Sequence, residues 1–416
     1  MTRETSNTFS VSVVTVTAGN STTYAYTGVV MPGDGQNSAR AFDDTQVRNG
    51  MMIEQGGNNH GYECDNGIRF YDPATNTTGY IEPWLHSGPE YVRGNRDPAY
   101  LILDMQPDGY VFKNQYVYTY DNCHQIYFAS LDKLIDLSGT GAIYDFATSQ
   151  WTHGSAPPFV DAPKYMSGAS IITPGVRIDP ATDRYNYIDM DAVAQSAWTA
   201  GSQFYDGFRI YVPSLDIGVW IGGGSGGGGG YVGVLKRNPD YPASSSKPLI
   251  ARAIGASEAN LPLRSWSRNI STGVVISPTK IFIGDGQTRN NAEYNTDCYI
   301  IDVSPCVNFG LPIIESHYVG AKDAFAVDMG MCAWVLDTAR NRVITVGRKV
   351  LAWSLTTEGP WIDISPSDWG YGFAWTKAMY HEPSDKIYFK GSKITSAASD
   401  VESSNQYNKM FYIQFD

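Results

Sequence analysis

A short unit that recurs along the chain constrains the fold more than any other feature. In residues 142–151, "AIYDFATSQW", a Tyr-Asp pair is followed at short offsets by Thr and then Trp. Residues 68–84, "IRFYDPATNTTGYIEPW", repeat this order with a later Trp, and residues 350–361 and 298–309 keep weaker versions. Self-similarity of this kind predicts a repeated structural unit and not an isolated catalytic site.

A second recurring element predicts hairpins within these units. A turn of Asp, Pro, Ser or Asn leads into a short apolar strand that often stops at Gly. The segments are 49–57, 120–130, 178–189, 212–224, 276–286, 336–348 and 381–392. Their spacing is irregular, mostly about 40 to 75 residues, and indicates a β-propeller with four short strands per blade.

The predicted fold is therefore an all-β propeller of four-stranded antiparallel sheets. The 42 Gly, 22 Pro and 28 Tyr, with only 17% charged residues, suit strands joined by tight turns. We expect six blades, or seven if the hairpins at 178–189 and 212–224 belong to separate blades. Residues 31–416 form the propeller. Residues 1–30 form a short strand or arm that closes the ring against the last run, "KMFYIQFD", or reaches a neighbouring subunit.

The order apolar strand, Gly-Gly, then Tyr-Asp…Thr…Trp resembles the kelch repeat of kelch-type propellers. It is closest in "AIYDFATSQW" and in Gly56-Gly57 followed by "FYDPATNTTGYIEPW". Other units depart from it, since Ala129-Ser130 stands where Gly-Gly is expected and only Gly347 follows "VITV". The resemblance covers residues 46–416 and implies propeller architecture without implying an activity.

Charge and cysteine content narrow the class of protein. The net charge of −12 argues against nucleic-acid binding through a basic face, because an acidic surface repels the phosphate backbone. No apolar run is long enough to predict a membrane-spanning helix. The five cysteines show no zinc-ligand spacing and are expected to be reduced apolar residues, with a Cys298–Cys306 bridge left open. They are Cys64, Cys123, Cys298, Cys306 and Cys332.

No local motif predicts catalysis, a metal or a cofactor. The run "GGGSGGGGG" at 222–230 lacks the Lys-Ser/Thr of a phosphate loop and predicts a hairpin tip, or a surface loop that adapts to a partner. Clustered Asp residues at 179–191 suit turn capping better than calcium binding. "SPSDWGYGFAW" at 365–375 only approximates a sialidase box, and the six histidines form no catalytic motif. The sequence therefore favours a protein that is not an enzyme.

Aromatic residues beside Gly and polar residues are the candidate contact sites for a partner or a glycan. Sugars stack on such rings and protein interfaces favour them, although packing between blades is the alternative role. The candidates are Trp198, Tyr205, Trp369, Tyr371 and Trp375.

The leading functional interpretation is a non-enzymatic structural or interaction propeller of a virion, in a phage tail or another host-facing position. The composition is typical of extracellular β proteins, yet "MTRETSNTFSVSVVTVT" has no export signal, as expected of a virion protein made in the host cytoplasm. Its partners would be other virion proteins or symmetric copies of itself. The similarity to phage tail-nozzle propellers is architectural only. The alternatives are a glycan-binding receptor-recognition propeller and a secreted kelch-type or sialidase-type enzyme, with an extracellular location.

Overall fold

A computed structural model describes β-strands and the tight turns between them. The described residues are 7–11, 13–15, 22–32, 46–55, 68–82, 104–106, 109–111, 125–136, 143–152, 188–190, 208–222, 231–239, 249–255, 272–284, 298–308, 310–320, 332–395 and 408–415. Within these ranges the regular structure is β-strand, apart from two short 3-10 helices, Ser304–Asn308 and Glu382–Ser384.

The strands fall into short runs joined by turns. In chain order they are β1 (Asn7–Val11), β2 (Val13–Thr15), β3 (Thr22–Val30), β4 (Gln46–Arg48), β5 (Met51–Gln55), β6 (Ile68–Asp72), β7 (Thr77–Glu82), β8 (Asp104–Gln106), β9 (Gly109–Val111), β10 (Gln125–Phe128), β11 (Lys133–Asp136), β12 (Ile143–Asp145), β13 (Gln150–Thr152), β14 (Ile188–Met190), β15 (Phe208–Val212), β16 (Ile217–Gly222), β17 (Tyr231–Arg237), β18 (Leu249–Gly255), β19 (Thr272–Val275), β20 (Lys280–Gly284), β21 (Cys298–Asp302), β22 (Ile313–Gly320), β23 (Ala333–Asp337), β24 (Arg342–Val346), β25 (Val350–Ser354), β26 (Trp361–Asp363), β27 (Phe373–His381), β28 (Lys386–Lys393) and β29 (Lys409–Phe415).

Six of the sheets are the blades of a propeller, which confirms the predicted fold. From the inner to the outer strand, they are blade 1 (β4–β7), blade 2 (β10–β13), blade 3 (β15–β18), blade 4 (β19–β22), blade 5 (β23–β26) and blade 6 (β27, β28, β29, β3). The first strand of each blade lies beside the first strand of the next, from β4 through β10, β15, β19 and β23 to β27. The hairpin β8–β9 forms a separate two-stranded sheet.

Most of the predicted hairpins coincide with the first two strands of a blade. The segment at 120–130 differs, because it contains only the first strand, β10. The turn at 129–132 then joins β10 to its partner β11. Of the segment at 178–189, only the end lies within the described residues, in β14. There β14 pairs with the outer strand β18, so it extends blade 3 and does not begin a seventh blade in the described structure.

The N-terminal region completes the last blade. Strand β3 pairs antiparallel with β29, with Tyr24 opposite Ile413 and Tyr26 opposite Phe411. The Thr27 hydroxyl donates a hydrogen bond of 2.9 Å to the carbonyl of Met410, which lies 383 residues later. Residues from the two ends of the chain therefore share one sheet and close the ring.

Three blades carry a fifth, parallel strand on their outer edge, which the prediction of four-stranded blades did not include. Strand β14 pairs with β18 of blade 3, β1 with β22 of blade 4, and β2 with β26 of blade 5. An uncovered outer strand would present unpaired backbone groups to other chains. These additional strands cover the edges. The N-terminal strands β1, β2 and β3 form the outermost strands of three consecutive blades, 4, 5 and 6.

Aromatic side chains from the third and fourth strands pack between blades. Trp353 and Trp361 of blade 5 share a buried cluster with Phe282 and Tyr318 of blade 4. The ring centroid of Trp353 lies 4.8 Å from that of Tyr318 and 5.5 Å from that of Phe282. Tyr144, from "AIYDFATSQW", is buried in the cluster between blades 1 and 2. Where the structure describes them, the recurring Tyr and Trp side chains therefore pack between neighbouring blades.

Candidate functional site

Three hairpin turns repeat one polar arrangement around an Asp in the left-handed conformation. These Asp residues have φ of 50–51° and end the turn between the first and second strands of blades 2, 3 and 6. In each, a Tyr on the inner strand donates its hydroxyl at 2.8 Å to the carboxylate five residues later. The pairs are Tyr127–Asp132, Tyr211–Asp216 and Tyr380–Asp385.

The same carboxylates bind the preceding blade. Arg48 of blade 1 donates two hydrogen bonds to Asp132, at 2.7 and 2.8 Å. Arg340 of blade 5 donates two to Asp385, at 2.8 and 2.5 Å. The Ser130 hydroxyl of blade 2 donates one to Asp216, at 2.5 Å. We call each set of Tyr, Asp and preceding-blade donor an interblade clamp, because the Asp joins its own blade to the preceding blade.

Electrostatics in the clamps follow from these contacts. The hydrogen bonds from Arg48 hold the pKa of Asp132 below its usual value, and those from Arg340 do the same for Asp385. Burial, together with the neighbouring carboxylate, raises the pKa of Tyr127 and of Tyr380 to about 12. At neutral pH Asp132 and Asp385 are therefore charged, and Tyr127 and Tyr380 are neutral donors, which is the combination that these two clamps require.

The clamp between blades 5 and 6 extends to the last strand. Asp337 is fully buried and accepts a hydrogen bond of 2.8 Å from Nε of Arg342. The guanidinium groups of Arg340 and Arg342 lie 4.4 and 4.7 Å from the ring centroid of Phe415. Such cation–π contacts anchor the end of β29 to blade 5.

The predicted contact residues have different environments. Trp369 is only 2% exposed, and its indole N–H donates a hydrogen bond of 3.0 Å to the Gly347 carbonyl. It packs in the cluster between blades 5 and 6, which is the alternative role considered for these aromatics. Tyr371 is 51% exposed. Trp198 and Tyr205 lie outside the described residues, as does the side chain of Trp375 on β27. Contact of these five residues with a partner or glycan stays a prediction.

A fixed turn presents Tyr371. The backbone N–H groups of Trp369 and Gly372 donate to the carbonyls of Pro366 and Trp369, and the N–H of Phe373 donates to that of Gly347. Because the buried Trp369 anchors the turn, the backbone at Tyr371 would lose little conformational freedom when the exposed ring binds a ligand.

Exposed apolar side chains concentrate on the outside of the propeller. Four of the six large apolar residues exposed in the described structure lie on, or just before, the fourth strand of a blade. They are Tyr26 and Val30 on β3 of blade 6, and Leu311 and Ile313 at the start of β22 of blade 4, and they are 38–48% exposed. Strand β1 pairs with Ser316–Gly320 and so leaves Ile313 uncovered. We call these four residues the apolar rim.

Other reactive side chains have structural surroundings. His381 Nδ1 lies 2.8 Å from the Ser384 hydroxyl within one turn, where the pair fixes the 3-10 helix. Cys298, Cys306 and Cys332 are buried thiols, and burial raises the pKa of Cys306 to about 12. Within the described ranges no group of three or more His, Cys, Asp or Glu residues is placed to hold a metal ion. No helix in the described part of the chain has the length and apolar character to cross a membrane.

Comparison of the sequence with models of known protein families and with curated proteins finds no match. The architecture itself defines the class of protein, a closed six-bladed β-propeller with clamped blades. This fold is compatible with an interaction or structural role.

Proposed function

We propose that this protein is a non-enzymatic structural propeller of a virus particle, in a phage tail or another host-facing position, built from kelch-like blades. The observation that carries the proposal is the apolar rim, which exposes Tyr26, Val30, Leu311 and Ile313 on the circumference. Each of the two blades exposes a pair of apolar side chains, and exposed apolar pairs of this kind favour contact with other proteins. An enzyme or small-ligand site is more often a concave pocket than an outer rim.

The partner that best fits the rim is a second copy of this chain. Blades 4 and 6 are separated by one blade, so their rims face directions about 120° apart in a six-bladed ring. Contact between the blade 4 rim of one copy and the blade 6 rim of the next is heterologous. An angle of about 120° at each copy closes a ring of six copies. Other virion proteins would then bind the assembled ring.

Quantitative mass spectrometry of purified virus particles from the source tests the location. We expect a fixed copy number per particle, of about six or a multiple of it. Absence of the protein from the particles contradicts the virion proposal.

Native mass spectrometry of the purified chain tests the rim separately. Ile313→Asp is expected to reduce the assembly to monomer, while Val47→Asp is the matched control because Val47 is equally exposed but lies on the inner strand of blade 1. A wild-type chain that is monomeric at high concentration, or a loss of assembly in both variants, contradicts the proposed contact.

A glycan-binding propeller is the second candidate, and the exposed Tyr371 on its fixed turn is the observation that favours it. Sugars stack on exposed aromatic rings, and a backbone that is already fixed lowers the conformational cost of binding. A glycan array followed by titration of the best ligand tests this. We expect Tyr371→Ala to remove binding and Tyr26→Ala to retain it. Equal binding by both variants contradicts a site at Tyr371.

A further inference from the structure

Four charged side chains are buried together where blade 6 meets blade 1. Glu54 lies directly opposite Arg69 on the second and third strands of blade 1. Lys377 lies directly opposite Lys390 on the first two strands of blade 6. These four residues, here the junction cluster, are at most 5% exposed.

Within the junction cluster, the Glu54 carboxylate is the only negatively charged group. The Lys390 ammonium contacts Oε2 of Glu54, and Nη2 of Arg69 lies 3.8 Å from the same oxygen. Arg69 also donates a hydrogen bond of 3.1 Å to the Pro32 carbonyl. The Lys377 ammonium has no hydrogen-bond partner among the described residues, and neither does Oε1 of Glu54. Among the residues that the structure describes, two buried ammonium groups therefore share one negative charge.

This arrangement is unfavourable while both lysines are charged and no further negative charge lies beside them. Like charges directly opposite each other on neighbouring strands destabilise a sheet. A buried ammonium without a paired charge or hydrogen bond costs considerably more than an exposed one. Burial lowers the pKa of Lys390 to about 8, although Glu54 opposes this effect. Because that value is above 7, Lys390 keeps most of its charge at neutral pH.

We propose that a small inorganic anion of the size of chloride or bromide binds in the junction cluster beside Lys377 and Lys390. The anion accepts hydrogen bonds from the Lys377 ammonium and balances the charge that Glu54 leaves uncompensated. Since the lysines belong to blade 6 and the residues beside them belong to blade 1, the anion strengthens the junction at which the ring closes. This site is independent of the apolar rim and of any glycan site.

Thermal unfolding of the purified full chain tests the site. Chloride is titrated at constant ionic strength against gluconate, which is too large to enter a buried site. A saturable rise of the unfolding temperature with chloride is expected for the wild type, because a ligand that binds only the folded state stabilises it. We expect this rise to disappear in Lys377→Met. The control Lys393→Met, on the strand that carries Lys390 but at a partly exposed position, keeps it. An equal, unsaturated rise in all three proteins overturns the proposal.

A second variant keeps the test decisive if Lys377→Met does not fold. Glu54→Gln removes the competing negative charge, so the chloride concentration at half-saturation is expected to fall about fivefold or more. An unchanged or higher concentration overturns the proposal. In a crystal grown in bromide, we expect an anomalous peak within hydrogen-bond distance of the Lys377 ammonium. A well-ordered junction cluster with no peak there also overturns it.

Discussion

Arg48 of blade 1 donates two hydrogen bonds to Asp132 of blade 2, and Asp132 accepts a third from Tyr127 of its own blade. The carboxylate is therefore a junction between blades and also the end of a tight turn. Equivalent Asp residues in blades 3 and 6 make the same two kinds of contact. The clamps thus repeat with the blades, which makes their energetic contribution measurable one at a time.

Removal of the Arg48 side chain should destabilise the protein by about 1 kcal/mol, because the pair is bidentate and only partly exposed. We expect this loss for Arg48→Met in urea unfolding. Lys349→Met is the comparison, since Lys349 is 44% exposed in its pair with Asp363 and should contribute less than about 0.5 kcal/mol. A larger loss for Lys349→Met than for Arg48→Met contradicts the importance of the clamp.

The tyrosine hydroxyls of the clamps should each contribute about 0.5–1.5 kcal/mol. Loss of that amount is expected from Tyr127→Phe, Tyr211→Phe and Tyr380→Phe, measured by chemical denaturation. The three sites lie in different blades, so the effects should add in the triple variant. Tyr412→Phe provides the reference, and a loss there as large as in the clamps would show that the hydroxyl contacts are not responsible.

Stability should fall in acid because the clamp carboxylates have lowered pKa values in the folded protein. Below about pH 5 the unfolded chain, with ordinary Asp pKa values near 3.9, takes up protons before folded Asp132 and Asp385 do. The stabilisation is complete at neutral pH and is lost as the pH falls towards the folded pKa values. Unfolding temperatures measured from pH 6 to pH 2 should decline less steeply for Arg340→Met than for the wild type. Lys386→Met, which removes a cation–π contact with Tyr412 but no carboxylate pair, should keep the wild-type slope.

Two glycines in the Tyr371 turn should respond differently to a methyl group. Both have positive φ, but a Cβ on Gly372 would lie 2.3 Å from the Arg348 carbonyl oxygen, whereas one on Gly370 would meet nothing within 4 Å. Gly370→Ala should therefore cost about 1–2 kcal/mol from backbone conformation alone. Gly372→Ala adds the clash and should cost about 3–5 kcal/mol in urea unfolding. Equal losses would mean that the turn does not pack closely on Arg348.

Two N-terminal deletions should distinguish the strands that cover blade edges from the strand that closes the ring. Deletion of residues 1–15 removes β1 and β2, which cover the outer edges of blades 4 and 5, and should cause a modest loss of thermal stability. Deletion of residues 1–31 also removes β3 and exposes β29, so it should cause aggregation or unfolding at room temperature. Light scattering and circular dichroism would distinguish these results. A folded monomer after the longer deletion contradicts closure by β3.

The repeated architecture was predictable because the signals for it are local. Alternating strands and turn residues mark the hairpins at 49–57, 212–224, 276–286, 336–348 and 381–392, and the structure has a hairpin at each. The clamps have a sequence signal too, since Tyr precedes Asp by five residues in "YFASLD", "YVPSLD" and "YHEPSD". That spacing alone does not identify a clamp, because a clamp also requires a donor in another blade.

Contacts between distant parts of the chain could not be predicted in this way. The sequences around Glu54 and Lys390 carry no signal that pairs them, and the two residues meet because the ring closes. The parallel pairing of β1 with β22 is likewise set by where the N-terminal residues run over the finished propeller. The aromatic candidates show the same limit, since the sequence around Trp369 and Tyr371 does not reveal which ring is buried.

Closure of the ring by β3 also sets an order of events during protein synthesis. Thr27 is translated 383 residues before its hydrogen-bond partner Met410. At about 5–20 residues per second, the N-terminal strand waits on the order of 20–80 seconds before blade 6 can form around it. During that time β3 is a strand without its native partner on a chain still attached to the ribosome. Polysomes carry many such chains close together, so the pace of elongation and the spacing of ribosomes influence how many copies close on themselves.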